Sequence, residues 1–224
     1  ITDMDLCEKE PELAYRVNAL GARNLSIVAR KIGAKIVQIS TDDVFDGNKN
    51  TPYSEFDDTN PKTVYGRSKR AGENYVREFT HKHFVIRSSW IFGHGDNFVT
   101  CVLRKAGNGE LIEAAIDETG CPTSAKDLAR IILYLITTNE YGTYHATCKG
   151  LCSRYDFARE ILSLAGLHAE VKEISIADSK EHLVRPAYAV LDNFILRIID
   201  VYEMPKWKQS LEEYIAEWKE ETHE

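Results

Sequence analysis

Residues 40–47 read STDDVFDG, and residues 65–69 read YGRSK. The first stretch closes KIVQIS (35–40), a short apolar run that reads as a buried strand ending in hydroxyl side chains. The second opens a helix expected over 64–79, after a loop at 47–63 rich in Gly, Asn, Pro, Asp and Thr. A loop of that length inside a compact domain is more often functional than idle. This order places Thr41 and the Tyr65–Lys69 pair near the carboxyl end of one strand. Open parallel sheets bind their ligands at that edge.

The same alternation runs through the rest of the chain. From Pro11 to Ile32, Leu13, Val17, Leu20, Leu25, Val28 and Ala29 recur at three- and four-residue steps, the pattern of an amphipathic helix. Pro11 suits its first turn and Gly33 its stop. On the 64–79 helix the candidate buried positions are Tyr65, Ala71, Tyr75, Val76 and Phe79. HFVIRSSWIFG (83–93) reads as a strand and its exit, 97–107 as a short helix, and LIEAAI (111–116) as a strand. Ser124 caps a helix over 124–138, GTYHAT (142–147) is a strand, and Ser153 and Gly166 bound a helix over 153–166. EVKEISI (170–176) reads as a strand, 178–193 as irregular, and 207–222 as a final helix. Strand and helix in alternation predict an α/β fold: a Rossmann-like parallel sheet with helices on both faces.

The 224 residues suffice for one large domain or a domain with a small satellite. No apolar run reaches the length of a membrane span. The net charge of -7, with Lys and Arg scattered along the chain, gives no general attraction to nucleic acid. Five cysteines, an odd number without a secretion pattern, argue for free thiols in a reducing cytoplasm. Cys148 and Cys152 form C-x3-C with no second Cys or His pair nearby, so they read as small buried hydrophobes and no metal site is expected.

The chemistry lies in the Tyr–Lys pair. Residues at i and i+4 share a helix face. A free phenol, with a pKa of about 10, exchanges protons poorly at neutral pH, and a neighbouring ammonium pulls that value down. Tyr65 is then able to pass a proton to or from a carbonyl or alcohol oxygen that the Thr41 hydroxyl also holds. Such a trio suits carbonyl reduction when a hydride donor lies on the other face of the carbon.

Several blocks extend this reading: VNALGARNL (17–25), GAKIVQISTDDVFDG (33–47), PYSEFDDTNPKTVYGRSKRAGE (52–73), RSSWIFG (87–93), GCPTSAKDLA (120–129), GTYHATCKGLCSRYDFA (142–158) and RPAYAVLDN (185–193). Together they resemble the extended short-chain dehydrogenase/reductases and, within these, the dTDP-4-dehydrorhamnose reductase family. The resemblance implies reduction of the 4-keto group of a dTDP-6-deoxyhexulose to dTDP-L-rhamnose, with NADPH or NADH. It implies that Tyr65 donates the proton and that Lys69 lowers the phenol pKa and binds the nicotinamide ribose. Thr41 would touch the reacting sugar, with Asp42 beside it. Thr2 and Ser40 would lie at the cofactor, and Trp90 and Arg185 at the sugar nucleotide. Asn18 matches an Asn in the helix behind the site. The same resemblance divides one unit, 1–224, into dinucleotide-core segments at about 1–87 and 115–150, substrate-binding segments at about 88–114 and 151–206, and a C-terminal helix at 207–224.

Departures from the family pattern matter as much. No G-x-x-G-x-x-G turn occurs among the thirteen glycines, and residue 1 aligns beyond that turn. The expected sheet is therefore incomplete at the N-terminus, with exposed strand edges prone to aggregation and weak dinucleotide binding by these residues alone. Asp43 replaces the family's usual Tyr, Glu118 stands where Gln is frequent, and Arg154 where Trp is frequent. As a charged loop residue, Asp43 is expected to point to solvent; turned inward, it would raise the phenol pKa. Two other readings stand beside the reductase: a nucleotide-sugar epimerase or dehydratase, and a non-catalytic regulatory protein on the same scaffold. The acidic last helix offers a surface for a homodimer, although a solvated face is the commoner meaning of such charge.

Overall fold

The computed structural model describes residues 1–178, 186–200 and 202–223. Helix α1 (Met4–Lys9) is capped by the Asp3 carboxylate, which accepts the Leu6 N–H. Helix α2 (Pro11–Ala14) runs through a π-helical segment (Tyr15–Leu20) into α3 (Gly21–Ile32), which stops at Gly33 in the left-handed region. Strand β1 (Ile36–Thr41) ends in a tight turn (Asp42–Val44), and the loop beyond it leads to α4 (Val64–Phe79). Then come β2 (His83–Ser88), β3 (Ile91–Phe92), α5 (Phe98–Gly107), β4 (Ile112–Ala115), β5 (Thr119–Gly120), β6 (Thr123–Ser124) and α6 (Ala125–Leu135). Strand β7 (Gly142–His145), β8 (Cys152–Ser153), α7 (Arg154–Ala165), β9 (Val171–Ile174), α8 (Phe194–Ile198) and α9 (Trp207–His223) complete the chain. Ser124 and Ser153 cap α6 and α7 as expected, and Asn97 forms a capping box at α5.

The main sheet is parallel, in the order β1-β2-β7. Its apolar residues Phe84, Ile86 and Tyr144 join Phe92, Val102, Ile131, Phe157, Ile161 and Leu211 in one core under α5, α6, α7 and α9. Three small strand pairs, β3–β6, β4–β9 and β5–β8, tie later segments to this frame. The β4–β9 pair joins residues 112–115 to 171–174. No helix among the described residues is long and apolar enough to cross a membrane.

Three burial expectations need correction. Along the first long helix, Val17, Leu20, Leu25 and Val28 lie outside, the last two at 64% and 52% exposure. The face that packs on α4 is made instead of Ala14, Asn18, Ala19, Ala22, Ser26 and Ala29. The two helices approach too closely for larger groups: a Cβ on Gly72 would lie 2.5 Å from the Asn18 carbonyl oxygen. On α4 itself the buried face is Val64, Gly66, Ser68, Gly72, Glu73 and Val76, while Tyr65, Ala71, Tyr75 and Phe79 are half-buried. Strand β1 is not fully buried either. Among the described residues it pairs only with β2, and Ile39 is 36% exposed. That open edge matches the exposed edge expected from the sequence.

A polar row crosses the sheet one step before its carboxyl edge. Ser40, Arg87 and His145 are register partners on β1, β2 and β7. Glu73 of α4, with a fully buried carboxylate, covers the row. It accepts from Ser40 Oγ at 2.6 Å and from Arg87 Nε and Nη2 at 2.9 and 2.8 Å. Arg70 and Arg77 reach it from one turn to either side. This network ties α4, which carries Tyr65 and Lys69, to the strand that ends in Thr41.

Candidate active site

Ser40 turns to Glu73 in the middle of α4, and Thr41, the last residue of the strand, lies at its carboxyl edge, where the same helix begins. The Tyr65 phenol stands close enough to the Thr41 hydroxyl there to feel it in its pKa. Thr41 Oγ1 also donates toward Asp42 Oδ1 at 3.0 Å and accepts the Asp43 N–H at 3.2 Å. The turn after β1 is thus closed by the same hydroxyl that meets the phenol. Helix α4 starts hard against this turn, with Thr63 as its N-cap. A Cβ on Gly66 would sit 2.2 Å from the Asp43 carbonyl oxygen, so only glycine after Tyr65 permits the approach.

Asp43 does not point to solvent. Its carboxylate lies within 3.5 Å of the Thr41 hydroxyl, because the tight turn folds the side chain back over its own cap. The phenol pKa is accordingly pushed up rather than down, first by burial and then by the Asp43 charge; the Thr41 hydrogen bond opposes both. The expected lowering by Lys69 is not the net result. Lys69 Nζ donates to the Ile39 carbonyl at 2.6 Å, on β1. Burial lowers the Lys69 pKa, and the Glu73 carboxylate one turn further along the helix works against that.

Asp42 is buried beside Thr41 and accepts from Ser89 Oγ at 2.6 Å. Burial raises its pKa, opposed by the Ser89 and Thr41 hydrogen bonds and by the Arg154 charge. Asn18 sits in the π-helical segment and clamps three elements together. Its amide donates to the Ile1 carbonyl and to Ser68 Oγ, both at 3.0 Å, and its Oδ1 accepts from the Ile1 amine at 2.8 Å. The segment so held carries Thr2, and Ser68 lies between Tyr65 and Lys69 on α4.

Thr2 and Trp90 open onto one cavity of about 490 Å³, together with Phe98, Glu118 and Arg154. Trp90 has φ 45°, a left-handed backbone that bulky residues rarely adopt and that clusters at functional sites. Its indole is sandwiched. Gly120 lies on one side, where a Cβ would come within 2.4 Å of the ring, and the Arg154 guanidinium lies 3.5 Å from the ring centroid.

The sequence-derived set is therefore only partly assembled. Thr41, Tyr65 and Asp42 meet; Lys69 stands one helical turn from Tyr65; Thr2 and Trp90 share the cavity. Ser40, expected at the cofactor, points away and is taken up by Glu73. Arg185 lies outside the described residues. Glu73 and Arg87 escaped notice, although a charge inside the apolar run HFVIRS was a usable signal. As a donor set, the Lys69 ammonium, the Tyr65 phenol and the exposed Thr2 suit the ribose end of a nicotinamide nucleotide. No glycine-rich pyrophosphate turn is present in residues 1–224. No cluster of His, Cys, Asp or Glu among the described residues could hold a metal.

Known proteins resemble this chain over nearly its whole length. The family model described as RmlD substrate binding domain matches residues 1–220. The spore coat polysaccharide biosynthesis protein SpsK of Bacillus subtilis is 38% identical over 218 residues, covering 96% of this chain and 76% of that protein. The crystal structure of a dTDP-4-dehydrorhamnose reductase from Clostridium acetobutylicum matches with a TM-score of 0.95 and 42% identity, over 97% of this chain and 78% of that one. The Bacillus anthracis dTDP-4-dehydrorhamnose reductase in complex with NADP matches with a TM-score of 0.94 and 39% identity, over the same shares of the two chains.

Proposed function

The chain belongs to the RmlD substrate binding domain family, and from that we propose that it is an oxidoreductase of nucleotide-sugar synthesis. It reduces the 4-keto group of a dTDP-linked 6-deoxyhexulose with NADPH or NADH and yields dTDP-L-rhamnose. One observation carries the reading: the start of α4, with Tyr65, is pressed against the turn that follows Thr41 at the carboxyl end of β1. Two hydroxyls brought to one edge in this way are able to share one substrate oxygen.

A nicotinamide nucleotide held at the ribose by Lys69, Tyr65 and Thr2 would supply the hydride to the carbonyl carbon. Thr41 orients the carbonyl oxygen, and Tyr65 gives that oxygen its phenolic proton. The raised phenol pKa keeps this proton in place at neutral pH. It does not stop the transfer, because the developing alkoxide is far more basic than a phenolate. Lys69, on the same face of α4, stabilises the phenolate left behind and holds the ribose with Thr2. Asp42, fixed by Ser89, orders the turn that presents Thr41. The described parts of the segments at about 88–114 and 151–206 make up the substrate lobe in this reading, around Trp90 and Arg154, and Arg185, outside the described residues, is assigned to the diphosphate. The five cysteines are free thiols, which suits the reducing cytoplasm. Pairing of two copies through the acidic α9 is part of the same reading, and sedimentation velocity measures it.

The test is direct. Purified protein and the dTDP-linked hexulose, with NADPH raised until its consumption saturates, should consume NADPH in step with dTDP-L-rhamnose formation, followed by absorbance and NMR. Binding of the sugar nucleotide without NADPH consumption would favour the non-catalytic scaffold reading, which Asp43 beside the phenol supports.

A further inference from the structure

The cavity beside Trp90 carries an ion pair that the reaction above does not use. Arg154 Nε lies 3.2 Å from Glu118 Oε1, and the Arg154 N–H donates to the Glu118 carbonyl at 3.1 Å. Both side chains are little exposed, at 13% and 11%. The guanidinium lies over the Trp90 ring at 3.5 Å and approaches the Phe98 ring at 4.9 Å. Side-chain and backbone ties from Glu118, with an aromatic face below, fix the plane of the group. Among the described residues lining the cavity Arg154 is the one cation, against Asp96, Glu113 and Glu118. Trp90, whose ring it covers, directly follows Ser89, which holds Asp42 next to Thr41, so the guanidinium stands beside the reacting edge.

We propose that Arg154, held flat on Trp90 by Glu118, is a specificity-determining residue that hydrogen-bonds an oxygen of the sugar ring of the nucleotide sugar. The inference rests on the nucleotide-sugar reading above and deepens it. A planar guanidinium directs its N–H groups in fixed directions, unlike an ammonium on a flexible stem. A site built to meet a sugar oxygen discriminates strongly against ligands that lack it. Arg154 thereby contributes to binding of the sugar and not of the nucleotide, and Glu118 acts through it as a positioning residue.

The readout is affinity, taken without cofactor by intrinsic tryptophan fluorescence on the full chain, with dTDP-L-rhamnose and dTDP as probes. Wild type should bind dTDP-L-rhamnose about tenfold tighter than dTDP, the worth of a hydrogen bond to a charged group. Arg154→Leu should abolish that preference and leave dTDP affinity within about twofold, since truncation removes only the sugar contact. Because Arg154→Leu leaves Glu118 buried without its partner, the paired swap Arg154→Trp with Glu118→Gln provides a second variant, and it should lose the preference equally. Equal loss for both probes, an unchanged preference in either folded variant, or no preference in wild type overturns the proposal. Failure of the reductase reading looks different: the Arg154-dependent preference would persist while NADPH was not consumed.

Discussion

Replacing Glu73 by Gln should destabilise the protein severely, and the structure sets the size of the effect. The carboxylate is fully buried and pairs with an Arg87 side chain that is only 3% exposed. Burial would raise the Glu73 pKa. The hydrogen bonds and charge of Arg87, with help from Ser40 and Arg77, overcome it and hold the carboxyl at about 2 instead of the ordinary 4.5. A depression of that size corresponds to roughly 3 kcal/mol. Removing one partner of a buried ion pair costs about 3–5 kcal/mol, because the other charge is left uncompensated. Either figure is large against the roughly 5–15 kcal/mol of a typical domain. With a urea slope of about 3 kcal/mol/M, the unfolding midpoint of Glu73→Gln should fall by about 1–1.7 M. The sign in pH follows from the depressed value. The stabilisation is complete above 4.5, fades as pH drops toward 2, and so contributes to acid unfolding in wild type but not in the variant. Removing both charges with Glu73→Leu and Arg87→Met should recover much of the loss, since well-packed apolar replacements of buried pairs are often neutral. Urea titrations by circular dichroism at pH 7 and pH 4 measure all of this. A Glu73→Gln midpoint within the equivalent of about 1 kcal/mol of wild type, or a double variant no better than the single, would refute the reasoning.

Asp43→Asn removes a negative charge that raises the Tyr65 pKa. The basic limb of the kcat–pH profile should therefore move to lower pH, and a limb that stays in place contradicts the assigned contact. Gly66→Ala forces a Cβ to within 2.2 Å of the Asp43 carbonyl oxygen, so the start of α4 must shift and carry Tyr65 with it. Turnover should drop about 100-fold, as expected when a reacting group is misplaced by roughly 1 Å; steady-state kinetics on the folded variant would show otherwise if the contact were slack.

Most of the architecture was readable because α/β alternation leaves a strong periodic trace. Ser124 and Ser153 marked their helices correctly, and so did Gly33 and Gly166 as stops. What periodicity could not reveal was which face of an apolar helix meets a partner. Leu25 and Val28 sit at helical spacing yet lie outside, while the contact with α4 belongs to alanines and Ser26. Spacing also put Tyr65 and Lys69 on one face without showing what each touches. The Ile39 carbonyl takes the ammonium, and Asp43, three-dimensionally adjacent through a tight turn, acts on the phenol. Ser40 and Thr41 are neighbours in sequence yet have different partners, Glu73 on α4 and the turn at Asp42. The Arg154–Glu118–Trp90 stack joins segments far apart in sequence, so only the fold brings it together.

Tyr65→Phe keeps the ring and removes the proton. NADPH-dependent turnover of the dTDP-linked hexulose should fall by about 10²–10⁴, while KM for the sugar nucleotide stays within about threefold. Turnover at the wild-type rate in that variant would contradict the assignment of the phenol as proton donor.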